Sequence, residues 1–316
     1  MKFCPLLFLL VFVILNRDCF TASEESVCEE SAYPPDNKDL IPLYVVNLDL
    51  SPLQRWAPLI IDKRHMLHKL VDDVKELLES LAGEKIFTTL MKNLDSLAAT
   101  LPYPYYEEIV GIAGYSNLPP SVITLYNVFY EVFTLCTSIL AQDPDGNIVH
   151  GRNLDTGVFL GWDKKNKTWK VAELLHPLTV HLQFKKEGKV IFESTSFAGY
   201  VGILTAVRKG CIITRDRDHS DLLNLWTTAN GSGSWYLVQT NYDHWKQPPF
   251  FDDRRTPANW CMVEGGATNA SLRLIYNVLS TKPVLNKETI YTTLMSAKSG
   301  EFSSWLRYCP DPCWPW

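Results

Sequence analysis

The apolar pattern changes period near residue 134, and that change limits the fold more than any other feature of the chain. Ahead of it, RHMLHKLVDDVKELLESL (64–81) sets Met66, Leu67, Leu70, Val71, Val74, Leu77 and Leu78 three and four apart. That spacing makes one face of an amphipathic helix, and the helical character runs from Trp56 to about Leu101. A further helix through VITLYNVFYEVF follows two prolines, with Ser121 as its expected cap. From Cys136 the alternation is strand-like. CTSILAQ is one strand, DPDG (143–146) a turn and NIVHGRNLD a second strand, which together predict a β-hairpin. IPLYVVNLDL (41–50) reads as an earlier strand. TWKVAELL, LTVHLQF, KVIFEST, YVGILTAV, CIITRD and WYLVQTN read as later ones, and SLRLIYNVLS and ETIYTTLMSA as a helical tail. Helical runs and strand runs that stay apart predict an α+β fold.

The first residues carry Lys2, an apolar run from Leu6 to Leu15, and small residues at Thr21, Ala22 and Ser23. This is the pattern of a secretory signal peptide over 1–22, too short for a membrane span. Secretion makes disulfides available. Beyond the leader the cysteines are Cys28, Cys136, Cys211, Cys261, Cys309 and Cys313. Cys309 and Cys313 in CPDPC can close a small proline-stiffened loop, and Cys28 and Cys261 stand in polar, turn-rich flanks suited to a long-range bridge. Composition alone also allows a third bridge, Cys136 to Cys211. Three Asn-x-Ser/Thr sequons, at Asn166, Asn230 and Asn269, are candidate glycan sites. The net charge of −5 leaves no nucleic-acid footprint. The histidines are scattered, so no metal or other cofactor is expected.

A protonated thiol is a poor nucleophile and needs a base. His150 and His244 lie in the β-rich half, but the local signatures of papain-like enzymes are absent. Another solution is the nucleophile's own α-amine, freed when the preceding peptide bond is cut. A thiol at the start of a strand, directly after a helical segment, suits that chemistry. Arg152 and Asp155 fall one hairpin away. Asp155 can bond the new amine, and Arg152 can set the charge around both. Read locally, Asn241 is a turn residue, Arg254 part of a solvated charge run, and His150 a satisfied strand histidine.

The pattern CTSIxAxDxxGxxxHGRNxD resembles the hairpin of the acid ceramidase and N-acylethanolamine acid amidase family, which are N-terminal-nucleophile hydrolases. LYNVFYEVFTLCTSI, GVFLGW, SFAGYVG, VQTNYDHWK, DDRRTPA, VLSTKPVLNK and RYCPDPC extend the resemblance over nearly the whole chain, closest to the ceramidase branch. It implies an αββα sandwich of two antiparallel sheets between helical layers. It implies a cut between Leu135 and Cys136, giving a mostly helical α-subunit (23–135) and a β-rich β-subunit (136–316) that stay together as a heterodimer. Cys136 would attack the amide carbonyl of an N-acyl sphingoid base such as ceramide, and water would hydrolyse the acyl-thioester. Arg152 and Asp155 match the residues beside the nucleophile, Asn241 the oxyanion-stabilising Asn, and Arg254 the second active-site Arg. The resemblance also implies Cys28–Cys261 and Cys309–Cys313 pairs, a lysosomal location with some secretion, and help from a saposin-type activator on an anionic lipid surface. The sister activity on N-acylethanolamines is the other enzymatic expectation.

The pattern breaks at one place. Relatives continue for several tens of residues after SFAGYVGILT, whereas here Thr205 is followed by AVRKG and at once by Cys211. The missing stretch holds a strand, a helical segment and a family active-site Glu. The expectation is a splice-type product with an incomplete sandwich and an exposed strand edge. Such a chain would fold poorly, mature poorly or both, and the alternative to an active hydrolase is an impaired product acting only as a lipid-binding or interfering protein.

Overall fold

The computed structural model describes residues 28–82, 89, 93–94, 96–157, 161–205, 211–215, 220–225 and 234–313. The expected leader, the sequon at Asn230, most of the junction between Thr205 and Cys211, and the side chains of Leu77, Leu78 and Cys211 lie outside what is described.

The front of the chain is a helical layer. Helix α1 (Ala57–Ala82) turns Leu59, Ile60, Leu67 and Leu70 into the core. It is tied to α2 (Tyr105–Ser116) through Glu108, whose carboxylate accepts from Arg55 at 2.7 Å and from the Trp56 indole at 2.9 Å. Helix α2 stops at Asn117, which takes the left-handed cap conformation at φ 58°. Helix α3 spans Pro120–Phe133 and starts one residue before Ser121. Proline suits the first helical position because its missing N–H would have had no helical acceptor, so Ser121 lies buried inside the first turn and is not the cap. Helix α3 then runs into the next strand with no loop between them.

The strands in chain order are β1 (Leu43–Asn47), β2 (Thr134–Gln142), β3 (Ile148–Thr156), β4 (Trp162–Asp163), β5 (Thr168–Trp169), β6 (Thr179–Lys186), β7 (Lys189–Phe197), β8 (Cys211–Arg215), β9 (Ser220–Asn224), β10 (Tyr236–Gln239), β11 (Thr289–Ser296) and β12 (Glu301–Leu306). Between them lie the later helices α4 (Lys170–Leu175), α5 (Arg255–Gly265) and α6 (Leu272–Ser280). A five-stranded antiparallel sheet has the order β10-β2-β3-β11-β12, and a three-stranded sheet the order β1-β6-β7. The two sheets stack through β7 on β11 and β12, where Thr195, Thr293 and Ser304 bond through their hydroxyls. The outer face of the large sheet is covered by α5 and α6, through Ile139, Val149, Ala258, Met262, Ile275 and Leu279. The small sheet shares its core with α1, α2 and α4. The α+β sandwich between helical layers is therefore present.

Four expectations give way. First, β1 joins β6 in parallel, so the small sheet is mixed; the helical layer between them supplies the long crossover that a parallel pair requires. Second, ETIYTTLMSA is strand β11, not helix. Ile290, Tyr291, Leu294 and Met295 mimic helical spacing, but all eight residues of the strand are buried, on both faces of a central position rich in β-branched threonine. Third, TWKVAELL is a two-residue strand followed by α4. Val171, Ala172, Leu174 and Leu175 are buried together on one helical face. Fourth, YVGILTAV forms no strand among its described residues. Gly199 takes φ +94° in a turn closed by the Tyr200 N–H donating to the Phe197 carbonyl, and a single bridge, Thr195 to Thr205, remains.

Among the described residues there are two disulfides, Cys28–Cys261 and Cys309–Cys313, and Cys136 is a free thiol. No described helix is long and apolar enough to cross a membrane.

Candidate active site

The hairpin β2–β3 builds the site by register. Cys136 pairs with Leu154, Ser138 with Arg152, Thr137 with Asn153 and Leu135 with Asp155. Side chains alternate across a strand, so Cys136 and Arg152 share the inner face. Thr137, Asn153 and Asp155 share the face under α6. The residue before the thiol therefore lies opposite the buried aspartate. Cys136 is the third residue of β2, not its first, because the uncut chain still pairs Thr134 and Leu135.

Cys136 is gripped from two sides. Arg152 Nη2 donates to its Sγ at 2.8 Å, so a guanidinium stands where negative charge develops on sulfur. Arg152 is itself held by a bond from Nη1 to the Leu204 carbonyl. On the backbone side, the Cys136 N–H donates to Asn241 Oδ1 at 2.7 Å. Asn241 lies just past β10, which is the neighbour of β2 in the sheet. Arg254 Nη2 donates to the same Oδ1 at 3.1 Å. Two donors on Oδ1 fix the orientation of this amide.

Arg254 organises the opposite face. It lies immediately before α5, is only 2% exposed, and reaches Asp155 Oδ2 at 2.8 Å, Thr137 Oγ1 at 3.3 Å and Asp252 Oδ1 at 2.8 Å. A buried guanidinium is tolerated only with such compensation. Burial pushes the Asp155 carboxyl up, and the Arg254 charge offsets this only in part. Thus all five expected site residues, Cys136, Arg152, Asp155, Asn241 and Arg254, form one connected network. The sequence reading missed Thr137, Asp252, the Leu204 carbonyl and Tyr291, whose hydroxyl bonds Thr205 Oγ1 at 2.9 Å. Of these only Thr137, next to the thiol, carried a local signal.

His150 sits on β3, and burial holds its imidazole down to about 3, so it is neutral and unsuited as the base. His244 faces Asp221 at 3.3 Å. Among the described residues no group of three His, Cys, Asp or Glu could hold a metal ion. Asn166 is exposed on a turn, and Asn269 is exposed at the end of a short 3-10 helix.

Two family profiles match. One, described as the beta subunit of N-acylethanolamine-hydrolyzing acid amidase, covers residues 39–101. The other, linear amide C–N hydrolases of the choloylglycine hydrolase family, covers residues 136–213 and begins at the free thiol. Acid ceramidases of Pan troglodytes and Homo sapiens are 38% and 37% identical over 367 aligned positions, covering 92% of this chain and 92% of each relative. The Bos taurus acid ceramidase is 37% identical over 391 positions, with 97% and 98% coverage. A chain of 316 residues cannot fill such alignments, so the relatives carry residues that this chain lacks. A solved N-acylethanolamine-hydrolyzing acid amidase ortholog of Caenorhabditis elegans superposes on 55% of this chain, and all of its own, with a TM-score of 0.44 and 26% identity. That overlap is too loose to bear on the fold.

Proposed function

This chain belongs to the acid ceramidase family of linear amide C–N hydrolases, and from that premise we propose that it hydrolyses the amide bond of ceramide to sphingosine and a fatty acid through Cys136. The observation that carries the reading is the double grip on that residue, Arg152 on its sulfur and Asn241 on its nitrogen. In the proposed sequence the Cys136 thiol first attacks the Leu135 carbonyl carbon, the Leu135–Cys136 C–N bond breaks to leave a thioester and the free α-amine, and water hydrolyses the thioester, giving a chain that ends at Leu135 and restoring the thiol. Domains 23–135 and 136–316 then become α- and β-subunits. The Cys28–Cys261 bridge spans that boundary and would keep them linked. The two family matches lie on either side of the cut, which supports the division.

Turnover follows from the same groups. The freed α-amine of Cys136 takes the thiol proton. The sulfur attacks the ceramide carbonyl carbon, and Asn241 Nδ2 donates to the oxyanion. The C–N bond breaks, the amine proton passes to the departing nitrogen, and sphingosine leaves. Water then cleaves the thioester and restores the thiol. Arg254 and Asp155 hold Asn241 and the amine end in place.

The proposed compartment is the lysosome, reached by secretion and with a secreted fraction. Two disulfides and the exposed sequons at Asn166 and Asn269 support an extracytoplasmic route. Trp245, Phe250, Phe251, Trp260 and Val263 are exposed on the segment that carries Arg254. Such a surface suits an anionic lipid membrane and a saposin-type activator that presents its lipids. Side-by-side turnover of ceramide and an N-acylethanolamine by the acid-treated protein tests the substrate. Faster ceramide cleavage is expected, and preference for the ethanolamide would assign the sister activity instead.

One observation favours a second reading, an impaired product that binds lipid without efficient turnover. The small sheet has three strands with β1 and β7 at its edges, and β8–β9 forms a separate two-stranded ladder. Relatives carry residues for which this chain has no counterpart.

A further inference from the structure

We propose that Glu288 is a further positioning residue of the amide-cleaving site, a proton-holding carboxyl beside Asp155 that keeps the amine end of the site from gaining a second negative charge. The inference rests on the proposed role of Cys136.

Glu288 stands immediately before β11. Its carbonyl accepts from the Thr156 N–H at 2.9 Å, and its own N–H donates to Asn286 Oδ1 at 2.8 Å. The next residue, Thr289, pairs with Asp155. The backbone thus pins Glu288 to the end of the hairpin that carries the site. Its side chain is 1% exposed, and neither carboxyl oxygen has a hydrogen-bond partner. Asp155, also 1% exposed, has one unbonded oxygen, Oδ1, although Thr289 and Asn286 approach it. Two buried carboxyl groups with three unbonded oxygens do not both ionise. Asp155 has the Arg254 guanidinium at 2.8 Å and keeps its charge more easily. Burial and the Asp155 charge hold Glu288 well above the usual carboxylate range.

The surrounding charges add no rival. From β3 the charged neighbour is Asp155. Behind it, ahead of α5, Arg254 and Asp252 are already engaged with each other. Lys287, next in the chain, turns to Asp311 at 3.0 Å. The cavity of about 340 Å³ beside residues 287–289 is lined by His176 from the end of α4, Glu173 and Arg307 among others. Burial holds His176 down to about 4, and Arg307 bonds the Thr292 and Ser280 hydroxyls.

The consequence reaches the nucleophile through the hydrogen bonds that join the Cys136 nitrogen, Asn241, Arg254 and Asp155, with Glu288 acting on Asp155 through its charge. With Glu288 protonated, Asp155 and Arg254 cancel. Once Glu288 ionises, the site carries an extra negative charge, the Cys136 amine holds its proton more tightly, and it no longer accepts one from the thiol. Activity then falls as pH rises.

The test is Glu288→Gln, which keeps shape and removes the proton, read against Glu288→Leu and Asp155→Asn. Below the Glu288 titration, Glu288→Gln keeps kcat within about twofold. Its alkaline limb of kcat moves up by at least one pH unit, with KM little changed. Infrared difference spectra of the folded, uncut chain supply a readout without turnover. The undissociated carboxyl band is present in wild type, absent in Glu288→Gln and Glu288→Leu, and titrates at lower pH in Asp155→Asn. An unmoved alkaline limb overturns the proposal, as does a carboxyl band that survives Glu288→Gln. A wild type without turnover counts against the Cys136 reading, and the infrared band then decides on Glu288 by itself.

Discussion

The centre of the large sheet and the outer edge of the small one are built to opposite standards. In β11 every residue is buried, and the threonines on it find partners in Asn153, Ser304 and Arg307. In β7, Val190 and Ile191 are 47% and 55% exposed, and among the described residues only β6 pairs with the strand as a ladder. From the sequence the edge strand β7 reads as a strand and the central β11 as a helix, so the local pattern alone does not rank the two regions. The difference lies in what covers them. The centre has α5 and α6 on one face and the small sheet on the other. The edge strand is tied to Thr205, the start of the short Thr205–Cys211 junction, by the single bridge from Thr195.

The sharpest way to test this contrast is to strike the centre. Cys136→Ala should abolish self-cleavage and lower amide turnover by on the order of 10⁴-fold or more, as loss of a covalent nucleophile does. Mass spectrometry and ceramide hydrolysis check it. Turnover at wild-type rate would move the chemistry away from the hairpin.

Next comes the buried pair. Arg254→Leu leaves Asp155 uncompensated at 1% exposure and should destabilise the fold by about 3–5 kcal/mol. Denaturant unfolding measures it. The paired change Arg254→Leu with Asp155→Leu should recover much of that loss. No recovery would mean that the two groups do not depend on each other.

The hairpin and the first long helix were legible because each depends on local spacing. Arg254 and Asn241 were not legible from spacing. They reach the thiol from more than a hundred residues away, and only resemblance pointed to them. ETIYTTLMSA misled because its apolar residues fit a helix, and its burial on both faces becomes visible only in three dimensions. Glu288 carried no signal at all, since its meaning comes from Asp155 across the strand.

A smaller effect concerns acid stability at the centre. Burial holds His150 down to about 3. An unfolded chain takes up that proton from about pH 6.5 downward, while the native state stays neutral. The unfolded state binds more protons in this window, so stability falls as pH falls from about 6.5 toward 3. Glu288 acts in the opposite sense: its contribution is full below about 4.5 and is lost as pH rises. His150→Gln should therefore flatten the acid side of a Tm-against-pH curve. An unchanged slope would show that the histidine is solvated.

The smallest effect belongs to the edge. Ile191→Lys on β7 should change stability by no more than about 0.5 kcal/mol. It should also reduce aggregation, because a charge on an open edge discourages pairing with another chain. Light scattering during refolding checks it. A loss comparable to that at Arg254 would mean the edge is covered, and the contrast between the two regions would disappear.

The central claim is that Cys136 becomes a chain terminus and works with its own amine. Intact-mass analysis of the acid-incubated protein, reduced to open the Cys28–Cys261 bridge, measures that directly. A fragment whose first residue is Cys136 is the predicted result, absent in Cys136→Ala. A chain that hydrolyses amide while remaining joined at Leu135–Cys136 would contradict it.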